Sequence, residues 1–164
     1  MRKFLKQARF NQWAVGLPGV DDWGIHISHQ IRRLAVEKGF GWRFVLPDPD
    51  DESVCLDVVG HRLALVHGHQ ANRPDNVVSW WRGQQFGNQP VAHADLLATG
   101  HFHHLRVQEC GAKPNGGSRF WVQASTLDNG SGWFRRVAGE SAVPGLTCFV
   151  LDRGVDFAGT VFKL

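Results

Sequence analysis

The spacing of apolar and polar residues changes along the chain and predicts a helix first and strands later. Apolar side chains, among them Ile27 and Ile31, recur at helical spacing over residues 23–38. Asp21-Asp22 precedes this stretch and Gly39 follows it. Because aspartate favours the N-cap and glycine favours the position after the last turn, the pattern predicts an amphipathic helix over 23–38 with an aspartate cap and a glycine stop.

A change to two-residue alternation predicts strands after this helix. A short strand is expected over residues 42–46 and a longer one over 53–59. Gly60-His61 then forms a tight turn into residues 62–66, and we expect His61 to be exposed at this turn. Residues 62–66 are nearly all apolar, which is typical of a strand buried on both faces of a sheet.

A strand–helix–strand unit occupies the middle of the chain. Asp75 is the predicted cap of a helix over residues 76–86, and an apolar run over 94–98 predicts the next buried strand. Since a helix connects the strands over 62–66 and 94–98, the two should be parallel neighbours. Parallel strands place their carboxyl ends at one edge of the sheet, where open α/β sheets bind their ligands.

Antiparallel strands are predicted for the last third of the chain. Their predicted ranges are 105–109, 119–123, 146–151 and 160–163. All these elements together predict an α/β fold, in which an irregular segment over residues 1–20 precedes a single domain over residues 21–164.

Composition agrees with a globular domain and argues against several classes of protein. The chain has 164 residues, of which 43% are hydrophobic, and this is enough for a real core. The net charge of +3 is compatible with an anionic substrate, but the arginines are scattered, which argues against a nucleic-acid-binding module. The sequence has neither the G-x-S-x-G motif of serine hydrolases nor a phosphate-binding glycine loop.

Cysteine usage and hydropathy predict a cytoplasmic protein. Cys55, Cys110 and Cys148 form neither an even disulfide framework nor a C-x-x-C motif. Each is therefore expected to be a small buried hydrophobic residue in a reducing compartment. No apolar run reaches the ~20 residues of a membrane span, and no signal-peptide core follows the basic N-terminus.

Histidines carry the strongest chemical signal in the sequence. Five of the nine follow the two predicted buried strands, namely His67, His69, His101, His103 and His104. Neutral imidazole is a ligand for manganese, iron, zinc and nickel, so two such clusters at one sheet edge predict a metal site. Gly100 is expected to allow the sharp turn that the second cluster needs. The alternative is that both clusters are ordinary surface histidines.

The two clusters resemble the last two motifs of the calcineurin-like metallophosphoesterases. Residues 67–69 read H-G-H and residues 100–103 read G-H-x-H, and each motif follows a strand, as it does in that family. Residues 120–125 are similar to the family's next hairpin, and the wider pattern resembles phage and bacterial phosphoesterases and DNA-repair-exonuclease-like proteins. Covering roughly residues 20–152, the resemblance implies half of an α/β/β/α sandwich and phosphoester hydrolysis with two divalent ions (manganese, iron, zinc or nickel).

The resemblance also implies roles for the individual histidines. His67 and His101 match ligands of one metal, and His103 matches a ligand of the other. His69 and His104 match second-layer or substrate-facing positions. No catalytic residue is assigned, because the family's D-x-H, G-D-x-x-[DN] and G-N-H-[DE] motifs are absent from the sequence. Those motifs supply the carboxylates that hard divalent ions need, and three neutral imidazoles cannot hold two ions tightly.

Two functions follow as expectations. In the first, the chain is the C-terminal half of a metal-dependent phosphomonoesterase, phosphodiesterase or nuclease-like enzyme and is inactive alone. In the second, it is a non-catalytic metal-binding or structural domain with a degenerate phosphoesterase fold. The expected partners are a phosphate-ester substrate, with DNA left open, and a missing N-terminal half or a second copy; no membrane partner is expected. Half of a sandwich is also expected to expose an apolar sheet face or edge.

Overall fold

A computed structural model describes residues 22–39, 44–45, 51–127, 132, 135–136, 139 and 142–164. The chain divides into two units, residues 1–54 and residues 55–164. Three predictions fall wholly or largely outside the described residues, namely the irregular segment over 1–20, the cap at Asp21 and the strand over 42–46. Of that strand only positions 44–45 are described, and they have no regular structure. A single domain over residues 21–164 stays a prediction.

One helix, α1 (Asp22–Glu37), belongs to the first unit and confirms the helix predicted over 23–38. It stops at Gly39, whose φ is +70° and whose N–H donates to the carbonyl of Val36 at 3.0 Å. Because glycine adopts positive φ without a steric cost, it ends the helix as the sequence predicts. No helix in the described part of the chain is long and apolar enough to cross a membrane.

Five strands form a mixed sheet in the order β1-β2-β3-β5-β4. They are β1 (Ser53–Val58), β2 (His61–Val66), β3 (Leu96–Thr99), β4 (Arg106–Ala112) and β5 (Ser118–Gln123). β2 and β3 are parallel, which confirms the pairing predicted for residues 62–66 and 94–98. β5 is parallel to β3 on its other side and antiparallel to β4, so β3 is the central strand.

A second, smaller sheet closes the chain. Its strands β6 (Thr147–Phe149) and β7 (Val161–Lys163) are antiparallel. Leu146 and Leu164 extend this ladder, because each N–H donates to the other's carbonyl, at 2.8 and 2.9 Å. The structure therefore confirms the predicted mixed α/β architecture with antiparallel strands at its C-terminal end.

Apolar side chains cover both faces of the central strands. The cluster on the side of helix α2 (Val77–Gly83) includes Ala64, Val66, Val77, Trp81, Leu97 and Trp121. The cluster on the other face includes Leu63, Leu96, Val122 and Phe157. This two-sided burial explains the nearly uniform apolar runs in the sequence. Exposed apolar side chains lie at several places, among them Val107 on β4 and Phe162 on the smaller sheet.

Helix α2 is shorter than predicted and does not use its predicted cap. A 3₁₀ turn (Pro74–Asn76) precedes it, and Asn76 holds the N-cap position without a side-chain hydrogen bond. The Asp75 carboxylate instead accepts a hydrogen bond from the guanidinium of Arg106 at 2.8 Å. The predicted Asp75 cap is wrong because a cation on β4, distant in sequence, takes the carboxylate away from the helix end.

His61 is buried, which contradicts its predicted exposure. Only 5% of the residue is exposed, and its Nε2 lies 2.9 Å from the carbonyl oxygen of Asp152. That carbonyl can only accept, so the Nε2–H of the ring donates. The sequence could not show this burial, because the covering segment lies 91 residues further along the chain.

The β1–β2 turn has positive φ at both of its central residues, +49° at Val59 and +92° at Gly60. A β-branched residue in this conformation costs roughly 1–2 kcal/mol, and asparagine before glycine suits such turns. We expect Val59→Asn to raise the free energy of unfolding by about 1 kcal/mol and the thermal midpoint by about 2–4 °C. Val155→Asn is the control, because Val155 is exposed but lacks a positive φ. An equal midpoint shift in both variants would contradict strain at Val59.

A β-bulge at Cys110 interrupts the β4–β5 hairpin. Glu109 pairs with Phe120 and Gly111 pairs with Arg119, so Cys110 has no partner in the ladder. Burial raises the pKa of the Cys110 thiol, because it disfavours the thiolate, although a hydrogen bond from the Trp121 backbone and the charge of Arg82 act in the opposite direction.

The three cysteines differ in exposure. Cys110 and Cys148 are half-buried, whereas Cys55 is exposed, so the predicted burial is wrong for Cys55. Because only the thiolate reacts, we expect iodoacetamide at pH 8 to alkylate Cys55 well before Cys110. Cys110 should approach the rate of Cys55 as the pH rises, because its raised pKa delays ionisation. Peptide mass spectrometry measures both rates, and equal rates at pH 8 would contradict this order.

Candidate metal centre

Parallel pairing of β2 and β3 brings the two histidine motifs to one edge of the sheet. Val66 pairs with Thr99 at the last position of the ladder. Beyond these strands, the N–H of Gly100 donates to the carbonyl of His67 at 3.1 Å. Backbone pairing thus continues one residue past the strand ends and fixes His67 beside residues 100–101.

The second motif bends through its histidines rather than through its glycine. His101 has a φ of +64° and His103 a φ of +68°, whereas Gly100 does not have a positive φ. The turn is closed by the N–H of Phe102, which donates to the carbonyl of Gly100 at 2.7 Å. Non-glycine residues in this region cost about 1–3 kcal/mol each and cluster at functional sites. The prediction that Gly100 makes the sharp turn is therefore wrong.

The backbone conformation of the first motif favours glycine. Gly68 has a φ of +106°, which side chains rarely adopt. A Cβ at this position would lie 3.4 Å from the carbonyl oxygen of Gly100 and 3.4 Å from the Cβ of His101. These are ordinary van der Waals distances, so the positive φ rather than lack of space favours glycine at this position.

Three imidazole rings meet at this edge. The ring centroids of His67 and His101 are 4.9 Å apart, those of His67 and His69 are 5.4 Å apart, and those of His69 and His101 are 6.2 Å apart. His67 is buried, with 5% of its surface exposed. The structure thus brings together three of the five histidines that the sequence singled out.

The closest contact joins Nδ1 of His101 to Nε2 of His67 at 3.1 Å. Two nitrogen ligands that each lie about 2.0–2.1 Å from one ion are about 2.9 Å apart at a right angle and about 3.4 Å apart at the tetrahedral angle. The observed spacing falls between these values. In the absence of an ion, one ring donates its N–H to the other, so a metal must displace that proton to bind here.

The donor set fits two ligands of one ion but does not fit a two-ion centre. Within residues 22–39, 51–127 and the other described positions, no group of three or more His, Cys, Asp and Glu side chains could hold a metal ion. Two neutral imidazoles leave the charge of a divalent ion uncompensated, and such ions usually take carboxylate ligands as well. Tight binding therefore needs ligands beyond the His67–His101 pair.

His103 and His104 lie in the same turn as His101. His103 is buried, with 8% of its surface exposed, and its carbonyl accepts the N–H of Thr126 at 3.1 Å. His104 is half-buried. The metal-ligand role of His103 and the outer roles of His69 and His104 stay predictions.

Two buried residues on β5 with polar groups support the Gly100–His103 turn. Their roles were not predicted from the sequence. Gln123 pairs in register with Thr99, and its Nε2 donates to the carbonyl of His104 at 2.7 Å. Trp121 Nε1 donates to the Oγ1 of Thr99 at 2.9 Å, in the buried core. A glutamine that follows the apolar run over residues 120–122 was the available signal. These two bonds fasten the residues on either side of the Gly100–His103 turn to β5.

Comparisons with known proteins reveal distant structural likenesses. No family model and no curated protein matches the chain. Vps29 from Entamoeba histolytica complexed with Zn²⁺ has a TM-score of 0.44 and 17% identity, covering 74% of this chain and 67% of that one. A double mutant of the same Vps29 gives a TM-score of 0.45 and 16% identity, covering 75% of this chain and 65% of that one.

A bacterial protein gives a similar result. A conserved protein from Streptococcus pneumoniae, a predicted phosphoesterase, has a TM-score of 0.36 and 12% identity, covering 74% of this chain and 69% of that one. The chain thus spans about two thirds of the length of the solved structures it matches. With TM-scores below 0.5, these likenesses establish neither a family nor an activity for this chain.

Proposed function

We propose that this chain supplies the imidazole ligands of a metallophosphoesterase-type site. It would be the histidine-bearing half of a metal-dependent phosphoester hydrolase and would have no activity by itself. The observation that carries this proposal is the 3.1 Å separation between His67 Nε2 and His101 Nδ1 at the ends of two parallel strands. That distance suits two ligands of a single ion.

The surrounding residues support this role by restraining both rings before any metal arrives. Backbone pairing between His67 and Gly100 fixes the separation of the two motifs. The turn after Thr99 is held in a strained conformation, with positive φ at His101 and His103, so its geometry is imposed by the fold. A restrained pair of donors loses little conformational entropy on binding, which favours metal capture.

The proposal assigns the remaining ligands to another polypeptide. Carboxylates would come from a partner half with the D-x-H and G-N-H motifs, which this sequence lacks, or from a second copy of the chain. His103 would then bind the second ion, and His69 and His104 would face the substrate. The substrate would be a phosphate ester, with DNA among the candidates, and the free cysteines favour the cytoplasm as the compartment.

Metal binding tests the first part of this proposal. Zinc affinity should be measured by competition with a chromogenic chelator for the unmodified chain and for His67→Ala, His101→Ala and His93→Ala. His93 is the matched control, because it is exposed and bonds only to Asn88 Oδ1 within the described chain. Weak binding that is lost in the first two variants but kept in the third supports the proposal. Unchanged affinity in all three contradicts it.

Hydrolysis of bis-p-nitrophenyl phosphate with manganese tests the second part. The chain alone should give no turnover, and a partner that carries the missing motifs should restore turnover in the unmodified chain but not in His101→Ala or His103→Ala. Turnover by the chain alone would contradict its dependence on a partner. Metal binding without turnover in any such combination would favour the alternative, a non-catalytic metal-binding domain.

A further inference from the structure

We propose that the cleft between helix α2 and the Cys110 bulge binds a small oxyanion of the phosphate class. The cleft is lined by Val78, Trp81, Arg82, Gln85, Cys110 and Arg119. It lies at the start of β5, whereas the histidine cluster adjoins the end of the parallel strand β3. It is therefore separate from the proposed metal centre, and this inference does not depend on the proposed function.

Positive charge without a carboxylate partner distinguishes the cleft. Arg82 and Arg119 form no ion pair within the described part of the chain, and none of the residues that line the cleft is acidic. Glu109 is close enough to raise the pKa of the Cys110 thiol, but it does not line the cleft and accepts a hydrogen bond from Ser118 Oγ at 2.5 Å. Two guanidinium groups facing one concave surface attract an anion.

Hydrogen-bond donors remain available in the cleft. Arg119 Nη1 donates to the carbonyl of Ala92 at 3.1 Å, but its Nε is buried and has no partner among the described residues. Arg82 is exposed, and its contact with the carbonyl of Cys110 is long, at 3.5 Å. A buried N–H that lacks an acceptor costs free energy. A small rotation of the Arg119 side chain that turns Nε toward the cleft would let an oxyanion supply that acceptor.

Size and shape restrict the ligand to a small one. The cleft is open to solvent and has a volume of only about 30 Å³, far below the range of roughly 300–1,000 Å³ for drug-sized ligands. Its apolar wall is Trp81, which is buried and whose Nε1 already donates to the carbonyl of Val91 at 2.7 Å. Polar recognition is therefore left to Arg82, Arg119 and Gln85, and the two positive charges among them suit phosphate or sulfate.

Cys110 provides a built-in reporter for this site. In a Cys55→Ser/Cys148→Ser chain, only Cys110 can react, and iodoacetamide is uncharged and does not compete for the arginines. Inorganic phosphate should slow alkylation saturably in EDTA-treated protein at constant ionic strength. At ten times its own dissociation constant, phosphate should reduce the rate about tenfold, because only about a tenth of the sites stay free.

Charge variants separate specific binding from a general salt effect. Arg82→Gln and Arg119→Gln should each weaken the protection, and Arg82 is exposed, so that variant leaves the core intact. Arg153 is also exposed but does not line the cleft, so Arg153→Gln should leave protection unchanged. Protection that persists in both cleft variants, or that sodium chloride reproduces at equal ionic strength, would overturn the proposal.

Discussion

Replacement of Trp121 by alanine is expected to lower the free energy of unfolding by about 3–5 kcal/mol, the largest stability loss predicted for this chain. Trp121 is completely buried and packs in the cluster between the sheet and helix α2. Its removal leaves a large cavity under that helix. Urea unfolding should measure the loss, and Phe86→Ala should change the free energy by less than about 0.5 kcal/mol, since Phe86 is 98% exposed.

The hydrogen bond from Trp121 Nε1 to Thr99 Oγ1 adds a second, separable contribution. Trp121→Phe should cost less than Trp121→Ala but should leave the Thr99 hydroxyl buried without its donor. The double variant Trp121→Phe/Thr99→Val should therefore lose less free energy of unfolding than the sum of the losses in the two single variants. Strict additivity in this double-mutant cycle, or a Trp121→Ala loss of under about 1 kcal/mol, would contradict the assigned packing.

Removal of the His67 imidazole is expected to weaken zinc binding by at least about 100-fold. Loss of residues that merely orient a metal ligand typically costs roughly 10–100-fold, and His67 would be a ligand itself. Without metal, His67→Ala should cost about 1 kcal/mol for the loss of the hydrogen bond to His101. Zinc should therefore raise the thermal midpoint of the unmodified chain but not that of the variant.

His29→Ala is the control for this second prediction, because His29 is exposed on helix α1. It should keep the full response of the thermal midpoint to zinc. A zinc response that survives in His67→Ala and disappears in His29→Ala would show that zinc binds elsewhere. In that case the short distance between His67 and His101 would reflect a hydrogen bond that only stabilises the fold.

The strand–helix–strand unit was predictable from the sequence because its signals are local and strong. The apolar runs over residues 62–66 and 94–98 are too uniform for one-sided burial, and a helix of suitable length separates them. The position of β5 beside β3 was not predictable, since no local pattern encodes which distant strand becomes a neighbour. The burial of His61 beneath a segment near Asp152 was missed for the same reason.

The candidate site was predictable in its location but not in its internal geometry. Strand ends and histidine spacing identified the edge, but positive φ at His101 and His103 arises from tertiary restraint that composition does not reveal. The contact between Gln123 and the carbonyl of His104 depends on sheet register, which the sequence leaves open. Conversely, the absence of acidic residues from both histidine motifs was visible in the sequence, and it agrees with a donor set that does not fit two ions.

The measurement that tests the central claim most directly is a zinc titration followed by long-range ¹H–¹⁵N NMR of the histidine rings. One equivalent of zinc should shift the resonances of His67 Nε2 and His101 Nδ1, the two atoms 3.1 Å apart, while His93 stays unchanged. This result would establish that both strand-end motifs bind one ion. Shifts confined to other histidines, or no shift at either atom, would contradict the metal centre proposed for this chain.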